Sequence, residues 1–183
     1  AEDSEWVIGD IFITHDDVEY EMGSVFESIQ NFDSSVVGSG VKDFQYWKLW
    51  TDGAEDENAF VINDEDKNSN VIEVQETTNV IYSIANESVY ESGLLKIEVE
   101  FKTSSEFSYT LQGNITPDAL IADEFTFSSP TDQWSTFVAY YDLDASQVEY
   151  YVDGQYLSSD VMNSNLVYGI NFFGSNSPYN IDT

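Results

Sequence analysis

Cysteine is absent from these 183 residues, so no disulfide staples the fold and no thiol is available for chemistry. Arginine is absent too: the five basic residues are all lysines, at 42, 48, 67, 96 and 102. Histidine occurs once, as His15, beside Asp16 and Asp17, where a solvated ring or a minor metal contact is the expected role. No apolar run approaches the roughly 18 residues that a membrane-spanning helix requires. Glycine-rich phosphate loops and zinc-ligand clusters are also missing, which removes nucleotide chemistry and zinc centres of the familiar spacing. The sequence shows no export leader and opens on Ala1 rather than Met. The expectation is a mature, exported chain that acts outside the cell or at its surface.

What is present is acid. Asp and Glu total 35 against five lysines, for a formal net charge of -30. Such a charge repels nucleic acid and anionic bilayers, and both are excluded as partners. A solvated surface for a saline habitat, a set of divalent-cation sites, or simple solubility would each account for it. Disorder does not, because 42% of the chain is hydrophobic and 15% aromatic, in an ordered pattern.

That pattern has a period of two, the repeat of a half-buried antiparallel strand. In 94–102, Leu95, Ile97, Val99 and Phe101 share one face, and Lys96, Glu98, Glu100 and Lys102 the other. Further strands are expected at 6–14, 59–62, 71–75, 79–84, 107–111, 125–127 and 166–173, around polar loops at 51–58 and 63–70. The segment Trp134 to Leu157 reads as a three-stranded meander. Its last turn is Asp153-Gly154, a pair suited to positive φ. Strand signals recurring about every 8–12 residues indicate a sandwich or barrel. Helix is expected only near 116–122, after Pro117. One domain, 1–183, accounts for the length.

The meander's "YD" followed by "VEYYVDG" resembles the closing strands of concanavalin A-like (laminin-G-like) lectin and glucanase domains. Val25-Phe26-Glu27-Ser28 is similar to the early "FE" of secreted carbohydrate-binding sandwiches, and Pro178-Tyr179-Asn180-Ile181-Asp182 to their last strand. The resemblance implies an all-β, antiparallel two-sheet jelly-roll. It also implies a structural calcium held by Glu27 and Asp182. It does not choose an activity, since one fold hosts lectins, lyases, glycosidases and spacers.

Asp64, Asp66, Asn68 and Asn70 place oxygen atoms at alternate positions of a polar segment, as calcium loops do. An EF-hand is ruled out by Ser69 at its sixth position and Gln75 at its twelfth; an exposed polar turn accounts for the same residues. For glycans, Tyr46, Lys48 and Trp50 would share one strand face. In the meander, Tyr141 and Tyr151 are expected outward, with Tyr150 aligned with Val148 and Val152 inward. Packing of all these aromatics inside is the competing expectation. Asn86 and Asn114 open N-glycosylation sequons, a pattern that also arises by chance in an Asn- and Ser-rich chain.

Catalysis is not expected. Glu98 and Glu100 resemble part of the acidic strand of laminarinase-like enzymes, but Lys102 stands at its third acidic position. Lys96 and Lys102 are expected to pair with those glutamates. Polysaccharide lyases of this fold use Arg, His and Tyr, and this chain lacks the first and has one of the second. The expected role is therefore a non-enzymatic, calcium-stabilised adhesion module for glycans. The alternatives are a self-assembling filament or surface-layer subunit, in which a neighbour's residues 1–14 add to an open sheet edge, and, last, a polysaccharide-cleaving enzyme.

Overall fold

The computed structural model describes residues 6–16, 25–30, 32–40, 44, 47–50, 59–74, 79–82, 92–103, 107–113, 121–127, 132–162 and 169–174. Within them the regular structure is all strand, in two antiparallel sheets. The larger sheet contains β1 (Trp6–Asp16), β2 (Val25–Gln30), β4 (Ala59–Asp64), β5 (Ser69–Val74), β7 (Leu94–Thr103), β10 (Ser135–Asp142), β11 (Gln147–Val152) and β12 (Gln155–Val161). The smaller contains β3 (Trp47–Trp50), β6 (Asn79–Tyr82), β8 (Phe107–Gly113), β9 (Ile121–Phe127) and β13 (Gly169–Gly174), in the order β3-β6-β13-β8-β9.

The larger sheet runs β12-β11-β10-β7-β1-β5-β4, and β1 is its hinge strand. One side of β1 pairs with β7 from Trp6↔Thr103 to Asp16↔Leu94. Its other side is shared: Trp6 to Ile8 pair with β5, and Ile11 to Asp16 with β2. The expected 6–14 strand is thus present and lies inside the sheet of its own chain.

The alternation read in 94–102 governs the packing. Leu95, Ile97, Val99 and Phe101 are fully buried, and across the ladder Tyr141, Ala139, Phe137 and Ser135 face the same way. Val148 and Tyr150 of β11 continue this inner face, where Phe137 and Tyr150 stack with ring centroids 6.0 Å apart. Burying each such large side chain stabilises by roughly 1.5–3 kcal/mol. The Oγ of Ser135 is buried with no hydrogen-bond partner among the described residues.

Two hairpins share one construction. Asp64 Oδ1 accepts the Lys67 N–H at 2.8 Å and Asn68 takes a left-handed φ of 53°. Asp142 Oδ1 accepts the Ala145 N–H at 2.8 Å and Ser146 takes φ 53°. An aspartate caps the turn and the fourth residue after it makes the left-handed step. The β11–β12 turn has the expected positive φ at Asp153 (49°) and Gly154 (76°).

Two expectations are corrected. The polar segment 63–70 is not one loop: only 65–68 form the turn, while Asn63 and Asp64 pair with Asn70 and Ser69 in the ladder. The turn of helix near 116–122 gives way at its end to β9, where Ile121 and Ala122 pair with Gly113 and Gln112. Residues 114–120, Pro117 among them, lie outside the described residues, so the expectation is corrected only at 121–122.

Candidate ligand-binding face

The outer face of the larger sheet carries two neighbouring constellations. The first spans the near ends of β7, β10, β11 and β12. Register places Tyr140 between Lys96 and Glu149, and Val138 between Glu98 and Tyr151. Tyr151 in turn lies opposite Tyr156. The three tyrosines form a stripe across three strands: Tyr140 meets Tyr151 edge to face at 5.5 Å, and Tyr151 meets Tyr156 at 5.5 Å. Tyr140 is 47% exposed and Tyr156 55%. Beside the stripe opens a groove of about 840 Å³ lined by Leu94, Lys96, Val138, Tyr140, Glu149 and Tyr151, among others.

The polar groups of the groove are tied to one another. Tyr151 donates its hydroxyl to Glu149 Oε2 at 2.8 Å, and that bond holds its phenol above the ordinary value. Lys96 Nζ bonds Glu98 at 2.5 Å and lies 5.9 Å from the centre of the Tyr140 ring. The bond to Glu98 outweighs desolvation and raises the Lys96 pKa.

The second constellation lies at the other end of β7. Register slips between Ile8 and Ile11 of β1, a bulge that sets an extra residue against Glu100. Gly9 sits in this bulge, and a Cβ there would stand 3.1 Å from both the Glu100 Cβ and the Trp134 ring. The bare backbone lets Lys67 reach over the sheet. Its Nζ makes an ion pair with Glu100 and lies 4.9 Å from the centre of the Trp134 ring. Trp134 donates its indole N–H toward Asp64 at 3.4 Å. Lys102 reaches Asp64 at 3.5 Å and Asp66 at 3.0 Å. Burial pushes the Asp64 carboxyl up, but the Lys67 N–H, the Lys102 charge and the Trp134 N–H outweigh it and hold the pKa below its ordinary value. The bond to Asp66 is the main cause that raises Lys102.

The expected lysine pairing is thereby half corrected. Lys96 does hold Glu98, but Glu100 is held by Lys67 rather than Lys102, because the β4–β5 turn folds over the bulge and draws Lys102 to its own aspartates.

The sequence-derived candidates fall as follows. Asp64 and Asp66 converge on Lys102, and Asn68 makes the left-handed step of the turn. Asn70 donates to the Ser35 carbonyl at 3.0 Å and accepts from Asn63 at 3.1 Å. These contacts engage the side chains of Asp64, Asp66 and Asn70 with the chain's own groups. Among the described residues, no three His, Cys, Asp or Glu side chains gather as for a metal ion. Glu27 lies on β2 opposite Thr14; Lys48 and Trp50 occupy same-parity positions on β3. Tyr46, Asn86, Asn114 and Asp182 lie outside the described residues.

Tyr151 is on the outer face, as expected, and Tyr150 is buried. The outward placement of Tyr141 is corrected: it is fully buried, and Tyr140 takes its place. The reason is register, since Tyr141 lies opposite Leu95 and Val148, both inner residues. Thr136 and Asp142, which share Tyr140's parity, carry the signal that would have revealed this. Tyr156 and Glu149 carry no signal along the chain that marks them, because the tyrosine stripe exists only across strands.

No protein-family model, curated protein or solved structure matches this chain.

Proposed function

We propose that this chain is a non-enzymatic, extracellular adhesion module that binds a glycan on the outer face of its larger sheet, within a concanavalin A-like jelly-roll sandwich. The observation that carries this reading is the groove beside Tyr140 and Tyr151. Exposed aromatic rings offer flat surfaces to sugar C–H groups, and Lys96, Glu149 and Gln147 supply hydrogen-bonding partners for hydroxyls. The lysine partners of Glu98 and Glu100 support a binding role over glycosidase chemistry, which needs one carboxylic acid and one carboxylate available to substrate.

Glycan-array binding followed by calorimetry tests it. Tyr140→Ala and Tyr151→Ala are each expected to weaken binding by about tenfold, roughly 1.4 kcal/mol. Undiminished binding by both variants overturns the site. Polysaccharide turnover that is lost in Glu98→Gln or Glu100→Gln overturns the non-enzymatic reading. Calcium stabilisation belongs to the same proposal, and coincident thermal melts in calcium and in chelator would remove it.

A second reading, assembly by strand addition, is favoured by one observation. β12 ends the larger sheet with no further strand on its outer side among the described residues, whereas Ser39 and Gly40 cover the opposite edge at β4. Light scattering that shows calcium-dependent polymers, with no glycan bound on the array, would establish it over the first.

A further inference from the structure

We propose that the groove beside Tyr140 and Tyr151 selects a cationic glycan, a hexosamine oligomer whose amino groups are free and protonated. This rests on the glycan reading and adds the charge of the ligand to it.

The argument is one of complementarity at the groove itself. Its lysine, Lys96, is already ion-paired with Glu98. Two further lysines of this sheet and its β4–β5 turn are also paired, Lys67 with Glu100 and Lys102 with Asp64 and Asp66. A sulfate or uronate entering here would meet in Lys96 an ammonium whose charge Glu98 already offsets, and it would meet Asp142 and Glu149 on the groove's lining. Those two carboxylates suit a donor. Asp142 uses Oδ1 to cap the Ala145 N–H, and Glu149 uses Oε2 to accept from Tyr151. An ionised carboxylate has about four acceptor positions on its two oxygens, so one such bond leaves capacity for an ammonium. The tyrosine faces add attraction of their own, since a cation within about 6 Å of an aromatic centroid is stabilised by the ring's quadrupole. Lys96 above Tyr140 already shows that geometry. The formal charge of -30 strengthens the preference at long range and steers polycations toward the molecule.

The test compares short oligomers of equal length by calorimetry on the full chain: glucosamine with free amines, its N-acetylated form, neutral glucose, and a uronate. Short oligomers limit multivalent attraction to a generally anionic surface. The free amine form is expected to bind at least about tenfold tighter than the N-acetylated form. That advantage should shrink as salt screens the carboxylates and as pH rises through the amine's own pKa. Glu149→Gln and Asp142→Asn should each erase most of it, while Glu65→Gln, an exposed charge on the β4–β5 turn, should change it less than about twofold. Equal losses in all three variants would reduce the preference to bulk charge and overturn the inference. Preference for the N-acetylated, neutral or uronate oligomer would overturn it as well and leave the glycan reading standing. Binding to no oligomer, and to nothing on a glycan array, would bring down the glycan reading itself.

Discussion

Gly9 does the work of a spacer. It occupies the bulge of β1 where Glu100, Lys67 and Trp134 close over the backbone. The Lys67 tip can swing away from an added methyl group, but the Glu100 Cβ and the indole at 3.1 Å must shift with the sheet and turn that carry them. Gly9→Ala is therefore expected to cost about 1–3 kcal/mol, a fall of roughly 2–12 °C in thermal midpoint. An unchanged midpoint would show that the cluster is loosely held. Asp64 is the acid-sensitive member of the same cluster. Its folded pKa lies below the unfolded one, so its contribution is fully present above the unfolded value and drains away as pH falls through the folded value. Asp64→Asn should lower stability at neutral pH by roughly 1–3 kcal/mol and flatten the acid limb of a stability–pH curve. A parallel displacement of the whole curve would assign the acid sensitivity elsewhere. Lys96 and Lys102 act with the opposite sign: their folded pKa values are raised, so their contributions persist below the unfolded lysine value and are lost as pH climbs through the folded one.

Among the elements, the two capped hairpins differ in a telling position. The left-handed step is made by Asn68 in one and by Ser146 in the other, with the same φ of 53°. Asparagine tolerates that region better than serine because its side chain bonds locally to the backbone. Ser146→Asn should stabilise by about 0.5–1 kcal/mol, or roughly 1–4 °C, and Asn68→Ala should lose a similar amount; melting curves of the two variants check both. Element identity was largely legible in the sequence. From Leu95 to Lys102 of β7 apolar and polar residues alternate without a break, so its two faces could be read directly. β10 defeated that reading because Val138-Ala139 and Tyr140-Tyr141 are apolar pairs, and either parity buries one of each. Only the pairing of Tyr141 with Leu95 and Val148 resolves it. The groove was hidden for the same reason, since Tyr140, Tyr151 and Tyr156 are neighbours through two ladders rather than along the chain. The Lys67–Glu100 pair was equally out of reach, because it depends on a bulge whose partner strand lies far away in sequence.

At the scale of the whole molecule, the formal charge of -30 is an energetic load on the compact state. Lys67, Lys96 and Lys102 relieve it locally, but only five lysines stand against 35 acidic residues. Raising sodium chloride toward 1 M shortens the screening length to about 3 Å, so the thermal midpoint is expected to rise steadily with salt. A flat or falling dependence would mean that the ion pairs around Lys67 and Lys102, which salt weakens, outweigh the general repulsion. The placement of β1 has a further consequence, in time rather than in space. Its longest ladder joins Trp6 to Thr103 and Asp16 to Leu94, so β1 must wait for β7 to be made. At about 5–20 residues per second on a ribosome, that wait lasts on the order of 5–20 s, with an apolar strand unpaired along one side. Long-range pairings of this kind also place folding in the slow, millisecond-to-second regime. During that interval like charge on neighbouring nascent chains keeps them apart, and the acidity that burdens the finished fold protects the unfinished one.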